Sequence, residues 1–170
     1  MRRYSAIDTS VLLFLANSDE NSQAAIDWLM KNKIHPLVTP TVFQELDDLL
    51  REGGAIGGIA RKVLEEIPSW GFLHAPLGSL DNGFAYEAAK RLLRILDGDG
   101  LLNDGLVAAE AAVLGCDLIL TFRNSLNALP DEQLRLCMME QDLSTTPFVV
   151  SPDVIVAYLS KKSETASAQS

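Results

Sequence analysis

Three carboxylates in this sequence stand where a predicted strand ends or a predicted helix begins. Asp8 closes an apolar run typical of a short buried strand, Glu45 lies near the start of the helix after the second strand, and Asp104 opens an Ala-rich helix. The carboxyl ends of parallel strands meet at the edge of the sheet where α/β proteins bind ligands. We therefore expect these side chains to gather in one crevice. Such a cluster needs a positive partner, and with oxygen ligands alone Mg²⁺ or Mn²⁺ is the expected ion.

Taken singly, two of these acids have ordinary structural explanations. Asp8 precedes Thr9 and Ser10, and an Asp in that setting is often only a turn or cap residue; Thr9 or Ser10 can then cap a helix that begins near Val11. Asp104 at a helix N-terminus interacts favourably with the helix dipole, by roughly 0.3 to 1 kcal/mol. The functional interpretation therefore depends on the three acids together.

Strand-like and helix-like segments alternate along the chain, which predicts an α/β fold in a single domain over residues 1–160. Strands are expected at 4–8, 37–39, 72–77, 117–121 and 148–150. Helices are expected from about 11 and 21 and over 40–50, 61–67, 79–96, 105–114 and 152–159, with Thr39 as the cap before Pro40. Residues 161–170 are polar and lack apolar anchors, so we predict a disordered tail.

Composition narrows the class of protein. The chain has 170 residues, 48% of them hydrophobic, which is enough for one well-buried core. The net charge of −9 argues against a general nucleic-acid coat protein, although a metal ion can reverse the local sign at an acidic site. Cys116 and Cys137 lack zinc-site spacing and are expected to be core thiols. No segment is apolar over the roughly 18 residues that span a membrane, so we expect a cytoplasmic protein.

Several local patterns do not amount to sites. The glycines of residues 53–58 lack the lysine of a phosphate-binding loop and favour an interruption between two helices. Residues 97–104 fail the calcium-loop pattern, and the two histidines form no catalytic constellation. Lys90, Arg91 and Arg94 form a small basic group, for which a solvated helix face is favoured over an RNA track.

Four segments in order resemble the PIN-domain family of metal-dependent nucleases. They are residues 7–12 around Asp8, residues 39–46 around Glu45, Asn103 and Asp104 with the Ala-rich helix, and residues 118–121. The resemblance covers about residues 4–159. It implies a three-layer α/β/α sandwich around a central, mainly parallel sheet, and ribonuclease activity with Mg²⁺ or Mn²⁺. Many relatives of this size are toxins of bacterial toxin–antitoxin pairs, so an antitoxin partner and a homodimer are expected.

The resemblance also implies roles for individual residues. Asp8, Glu45 and Asp104 are expected to be the catalytic residues and the metal ligands. The residues expected to contact an RNA substrate are Thr9, Ser10, Thr121, Arg123 and Asn124.

One departure from the family pattern lies after the fourth strand, where two further acids are usual. Arg123 and Ser125 occupy those positions here. Asp99 can reach toward the site from its loop, whereas Glu110 is a poor substitute because six helical residues turn it about 240° from Asp104.

Two functions remain open at this point: a metal-dependent endoribonuclease acting on single-stranded RNA, and a degenerate PIN domain that binds RNA or protein without catalysis. Arg123 decides between them. Its guanidinium can contact the scissile phosphate, or it can neutralise the acidic cluster through a salt bridge.

Overall fold

The computed structural model describes residues 2–96, 102–143 and 145–167. Its centre is a five-stranded sheet in the order β3-β2-β1-β4-β5, in which every pairing is parallel. The strands are β1 (Arg3–Ile7), β2 (Ile34–Val38), β3 (Leu73–His74), β4 (Leu118–Leu120) and β5 (Phe148–Val150). With helices packed around this sheet, the chain is an α/β protein of three layers, as the sequence predicted.

Nine helices are present in the described part of the chain. They are α1 (Thr9–Ala16), α2 (Glu20–Lys31), α3 (Pro40–Glu52), α4 (Gly54–Glu66), α5 (Ser79–Leu93), α6 (Leu102–Val113), α7 (Asn124–Asn127), α8 (Asp131–Met139) and α9 (Pro152–Ser167). Among the described residues, no helix is both long enough and apolar enough to cross a membrane.

The two central strands bring the ends of β1 and β4 together. Ile7 pairs with Leu120, and both side chains are fully buried, as expected for a parallel strand covered on both faces. The amide of Asp8 donates to the carbonyl of Leu120 at 3.0 Å. The first residues beyond the two strands, Asp8 and Thr121, are therefore neighbours at the carboxyl edge of the sheet.

Several boundaries differ from the sequence-based prediction. Asp8 itself is the N-cap of α1, so the helix begins at Thr9 and not near Val11. The third strand has two residues, because Leu73 and His74 alone pair with β2. Helix α9 continues to Ser167, so residues 161–167 of the predicted tail are helical. The short helices α7 and α8 were not predicted, and Asp99 falls outside the described residues.

Helices α5 and α6 pack closely through small side chains. Ala88, Ala89, Ala108 and Ala109 are all fully buried at 0% exposure. At Gly105, an added Cβ would lie only 2.8 Å from the carbonyl oxygen of Ala89 and 3.2 Å from its Cα. Because those neighbours are backbone atoms, they cannot move aside without displacing the helix. This contact determines how closely Asp104, next in the chain, approaches the sheet edge.

Substitution of Gly105 by Ala should lower the free energy of unfolding by about 1 to 3 kcal/mol, the usual cost of overpacking a tight contact. Gly83→Ala in helix α5 is the matched control, because nothing lies within 4 Å of the added methyl group. That control should be neutral or stabilising by about 0.5 to 1 kcal/mol through helix propensity. Urea unfolding of both variants measures the difference, and equal stabilities would show that the two backbones are not in close contact.

Candidate functional site

One guanidinium connects all three carboxylates that the sequence singled out. Arg123 Nε lies 3.2 Å from Asp8 Oδ2, Nη2 lies 2.5 Å from Glu45 Oε2, and Nη1 pairs with Asp104 Oδ1. Arg123 is the N-cap of α7, just after β4, and the acids come from the end of β1, from α3 and from the first turn of α6. The predicted gathering of Asp8, Glu45 and Asp104 is what the structure shows, with Arg123 at its centre.

Asp8 is the most deeply buried member of this cluster. Its Oδ2 accepts hydrogen bonds from the Ser10 hydroxyl at 2.5 Å, the Ser10 amide at 3.2 Å and the Thr121 hydroxyl at 2.9 Å. Its Oδ1 is buried and has no hydrogen-bond partner among the described residues. Burial raises the pKa of Asp8, and the attraction of Arg123 and the bonds from Ser10 and Thr121 oppose that shift.

Polar side chains around the cluster, some of them predicted to contact substrate, form hydrogen bonds to the acids. Thr9 donates to Glu45, and Asn103 donates to the other oxygen of the same carboxylate at 3.1 Å. The hydroxyl of Ser125 donates to Asp104 Oδ2 at 2.7 Å. Asn124 opens α7 and lines the cavity in front of the cluster. Of the residues predicted to bind substrate, Thr9, Ser10, Thr121 and Arg123 are thus already engaged within the protein.

The charges explain why the cation is held so firmly. Two carboxylates about 5 Å apart repel each other by roughly 3 kcal/mol at an effective dielectric of about 20, so three of them require compensation. Burial by itself would lower the pKa of Arg123, but the attraction of Asp8, Asp104 and Glu45 outweighs it and the pKa is raised. Arg123 therefore stays charged at any pH at which the protein is folded.

This arrangement does not fit a divalent ion among the three acids. Carboxylate oxygens are suitable ligands for Mg²⁺ or Mn²⁺, but one oxygen of each acid already has a guanidinium donor. Among the described residues, no three His, Cys, Asp or Glu side chains are placed to hold a common metal ion. An ion could enter only if Arg123 left the cluster.

An open cavity of about 780 Å³ lies in front of the cluster. Asp48 and Glu52 on α3 line it beside Glu45 and Asp104, and both are exposed. Glu52 adds negative charge to the side from which a ligand would approach, whereas the charge of Asp48 is partly offset by Arg51, whose Nη1 lies 3.8 Å from Asp48 Oδ1. An anionic phosphate backbone is therefore repelled at this entrance, apart from the one-fifth of the Arg123 side chain that is accessible.

Glu110 has a separate structural role, which the sequence analysis missed. It is 4% exposed, and its two oxygens accept hydrogen bonds from the amide of Thr41 at 2.9 Å and from the Thr41 hydroxyl at 2.7 Å. Thr39, the N-cap of α3, makes no capping bond with its own side chain. Glu110 on α6 therefore caps α3 from outside and ties the helix that carries Glu45 to the helix that carries Asp104. In the sequence, the feature that could have indicated this role is a single acid, Glu110, within an Ala-rich helix.

Comparison with solved structures places this architecture among known folds. A chain of the structure described as VapBC2 from Rickettsia felis, bound to a DNA fragment from their promoter, superposes with a TM-score of 0.60. The match covers 87% of this chain and 98% of that chain. The fold is PIN-like. At 12% sequence identity the likeness concerns the fold of this PIN-like domain alone. No protein-family model and no curated protein sequence matches the chain.

Removal of the Glu110 carboxylate tests its capping role. Glu110→Ala should lower the free energy of unfolding by about 1 to 3 kcal/mol, because the buried amide of Thr41 loses its acceptor. Glu110→Gln is the matched variant: its carbonyl can face the amide, while the Thr41 hydroxyl turns to accept from its NH₂ group. If both variants lose the same free energy of unfolding, a neutral side chain cannot cap α3 and the capping requires the negative charge of Glu110.

Burial raises the pKa of Glu110, and the nearby charge of Glu45 raises it further, while the hydrogen bonds from Thr41 lower it. Because the net shift is upward, the stability of the protein depends on pH through this group. Above the ordinary value of 4.5, the unfolded state loses this proton before the folded state does, so this group reduces stability as pH rises. Glu110→Gln should therefore gain stability relative to wild type between about pH 5 and pH 8 in urea unfolding. A constant difference over that range would show that Glu110 titrates normally.

Proposed function

We propose that this protein is a PIN-like domain that works by binding a partner and does not carry out metal-dependent catalysis. The observation that carries the proposal is the three-way pairing of Arg123 with Asp8, Glu45 and Asp104. The guanidinium supplies the positive charge that a metal ion would otherwise supply. The acidic entrance formed by Asp48 and Glu52 supports the same conclusion, since it disfavours an RNA strand at this site.

The energetic argument is one of competition between two cations. Breaking a largely buried ion pair by withdrawing one partner costs about 3 to 5 kcal/mol. A divalent ion entering the cluster must first displace Arg123 and so loses that amount from its binding free energy. Because about 1.4 kcal/mol corresponds to a factor of ten, the affinity falls by two orders of magnitude or more. A site of this kind is not expected to fill at ordinary concentrations of Mg²⁺.

A second candidate is a metal-dependent endoribonuclease of toxin type that cleaves single-stranded RNA, with an antitoxin and a second copy of the chain as partners. Two observations favour it: Asp8 Oδ1 is buried without a hydrogen-bond partner in the part of the chain that the structure describes, and Arg123 borders an open cavity into which it could turn. In that case Asp8, Glu45 and Asp104 would hold Mg²⁺ or Mn²⁺ once the guanidinium had left. The similarity to a toxin–antitoxin structure is compatible with this candidate.

Thermal unfolding with and without Mn²⁺ tests the primary proposal. The melting temperature of wild type should not change, whereas that of Arg123→Gln should be lower without metal and should rise with Mn²⁺, because a ligand that binds only the folded state stabilises it. Arg123→Lys is the matched variant: it keeps the positive charge but cannot pair with all three acids at once, so its response to Mn²⁺ should lie between those of wild type and Arg123→Gln. Calorimetric titration gives the affinities. A wild-type protein that binds Mn²⁺ as tightly as Arg123→Gln would contradict the competition.

An RNA cleavage assay separates the two functions. Under the primary proposal, wild type leaves single-stranded RNA intact in Mn²⁺. Under the second, it cleaves the RNA, loses activity when the metal is chelated, and loses it again in Asp8→Asn. Cleavage that survives Asp8→Asn would exclude both the metal mechanism and this site.

A further inference from the structure

Helices α5, α7 and α8 border a groove of about 770 Å³ beside the acidic site. A second groove of about 580 Å³ continues it between α5 and α8, and both are lined by Arg94, Ile95 and Gln133. Asn124 and Ser125, which also face the acidic cavity, stand at the near end. We call this continuous surface the α5–α8 groove.

The cations of the α5–α8 groove are not equivalent. Lys90 pairs with Glu87 at 2.8 Å, and Arg91 pairs with Glu140. Arg94 is exposed, and no acid among the described residues forms an ion pair with it. Since the protein carries a net charge of −9, most of its surface repels an anion. Arg94 is therefore a point at which a carboxylate from a partner would be attracted.

The walls of the groove are apolar as well as polar. Ile95, Leu129 and Pro130 line the first part, and Leu136, which is 49% exposed, lines the second. The amides of Asn124 and Gln133 can pair with main-chain groups of an extended chain. Arginine is enriched at protein-binding surfaces, and the apolar walls beside it can be buried by a partner.

We propose that the α5–α8 groove binds an acidic peptide segment of another protein. A carboxylate of the segment pairs with Arg94, and aliphatic side chains on either side pack against Ile95, Pro130 and Leu136. The adjacent pair of Arg91 with Glu140 is exposed and worth little, so a second carboxylate can displace Glu140. The inference rests on the proposed function only in treating the domain as a binding module, because the three carboxylates bound by Arg123 take no part in it.

Single-stranded RNA fits this surface less well. Among the described residues, neither groove is lined by an aromatic side chain, so bases have nothing to stack on. RNA affinity also depends on several cations that neutralise phosphates, and here Lys90 and Arg91 are already paired. A peptide needs one anchoring charge and apolar walls, which the groove offers.

The test is a selection from a library of random peptides displayed on phage, with the full chain as bait. Peptides that contain acidic and aliphatic residues should be enriched. Their affinity, measured by fluorescence anisotropy, should fall by about tenfold or more in Arg94→Glu through loss of the charge pair. Arg61→Glu is the matched control: Arg61 is an exposed residue of α4 outside the groove, and its reversal changes the net charge equally. It should leave the affinity within about twofold.

Leu136→Asp tests the apolar wall, and its partial exposure allows the fold to tolerate the change. It should weaken the same peptides. The proposal is overturned if no acidic peptide is enriched, if Arg94→Glu binds the selected peptides as well as wild type does, or if Arg61→Glu weakens them equally. It is also overturned if wild type binds a single-stranded oligouridylate, or self-associates in sedimentation, and Arg94→Glu abolishes that binding or association while peptide binding is unchanged. Metal titrations of Arg123 variants are independent of all these outcomes, so failure of either proposal can be recognised separately.

Discussion

The ion pairs between Arg123 and three carboxylates are the constraint on which this end of the molecule depends. Asp8, Glu45 and Asp104 come from three different elements, and their mutual repulsion would drive those elements apart. The guanidinium is planar and has donors on three sides, so it can satisfy all three acids at once, which an ammonium group could not do with the same geometry. The site is therefore held together by a cation that belongs to the chain.

Two buried carboxylates, Asp8 and Glu110, are stabilised in different ways. Asp8 has a cation and hydroxyl donors, while Glu110 has the N-terminus of α3. Both lie under apolar layers, and burial raises the pKa of each. Together they connect α3, α6 and the end of β1. The position of Glu45 relative to Asp104 is therefore fixed twice: Arg123 binds both carboxylates, and Glu110 joins helix α6 to helix α3.

The distribution of charge separates the closed site from the surface that is available for binding. The acidic cavity is lined by Asp48 and Glu52 and has its cation turned inward. The α5–α8 groove has an exposed arginine, Arg94, and an apolar wall in which Leu136 and Pro130 are exposed. One fold can support different functions, and the peptide-binding role proposed for the α5–α8 groove would leave the scaffold around the acids unchanged.

The alternation of apolar runs and helical spacing was enough to predict the α/β class, the strands around Ile7 and Ile119, and the meeting of Asp8, Glu45 and Asp104, because parallel strands end at a common edge. The resemblance to the PIN-domain family, and not residue types alone, indicated that Arg123 stands where an acid is usual. The direction of Arg123 was decided by tertiary structure, since a long side chain with many rotamers turns toward whichever charges the fold places within reach. The same holds for Glu110, whose partner Thr41 is 69 residues away in the chain. Helix α7 has four residues, too few to show a helical period, and packing sets where it forms. Helix α8 has a short helical pattern in Leu134, Cys137 and Met138, which the sequence analysis missed.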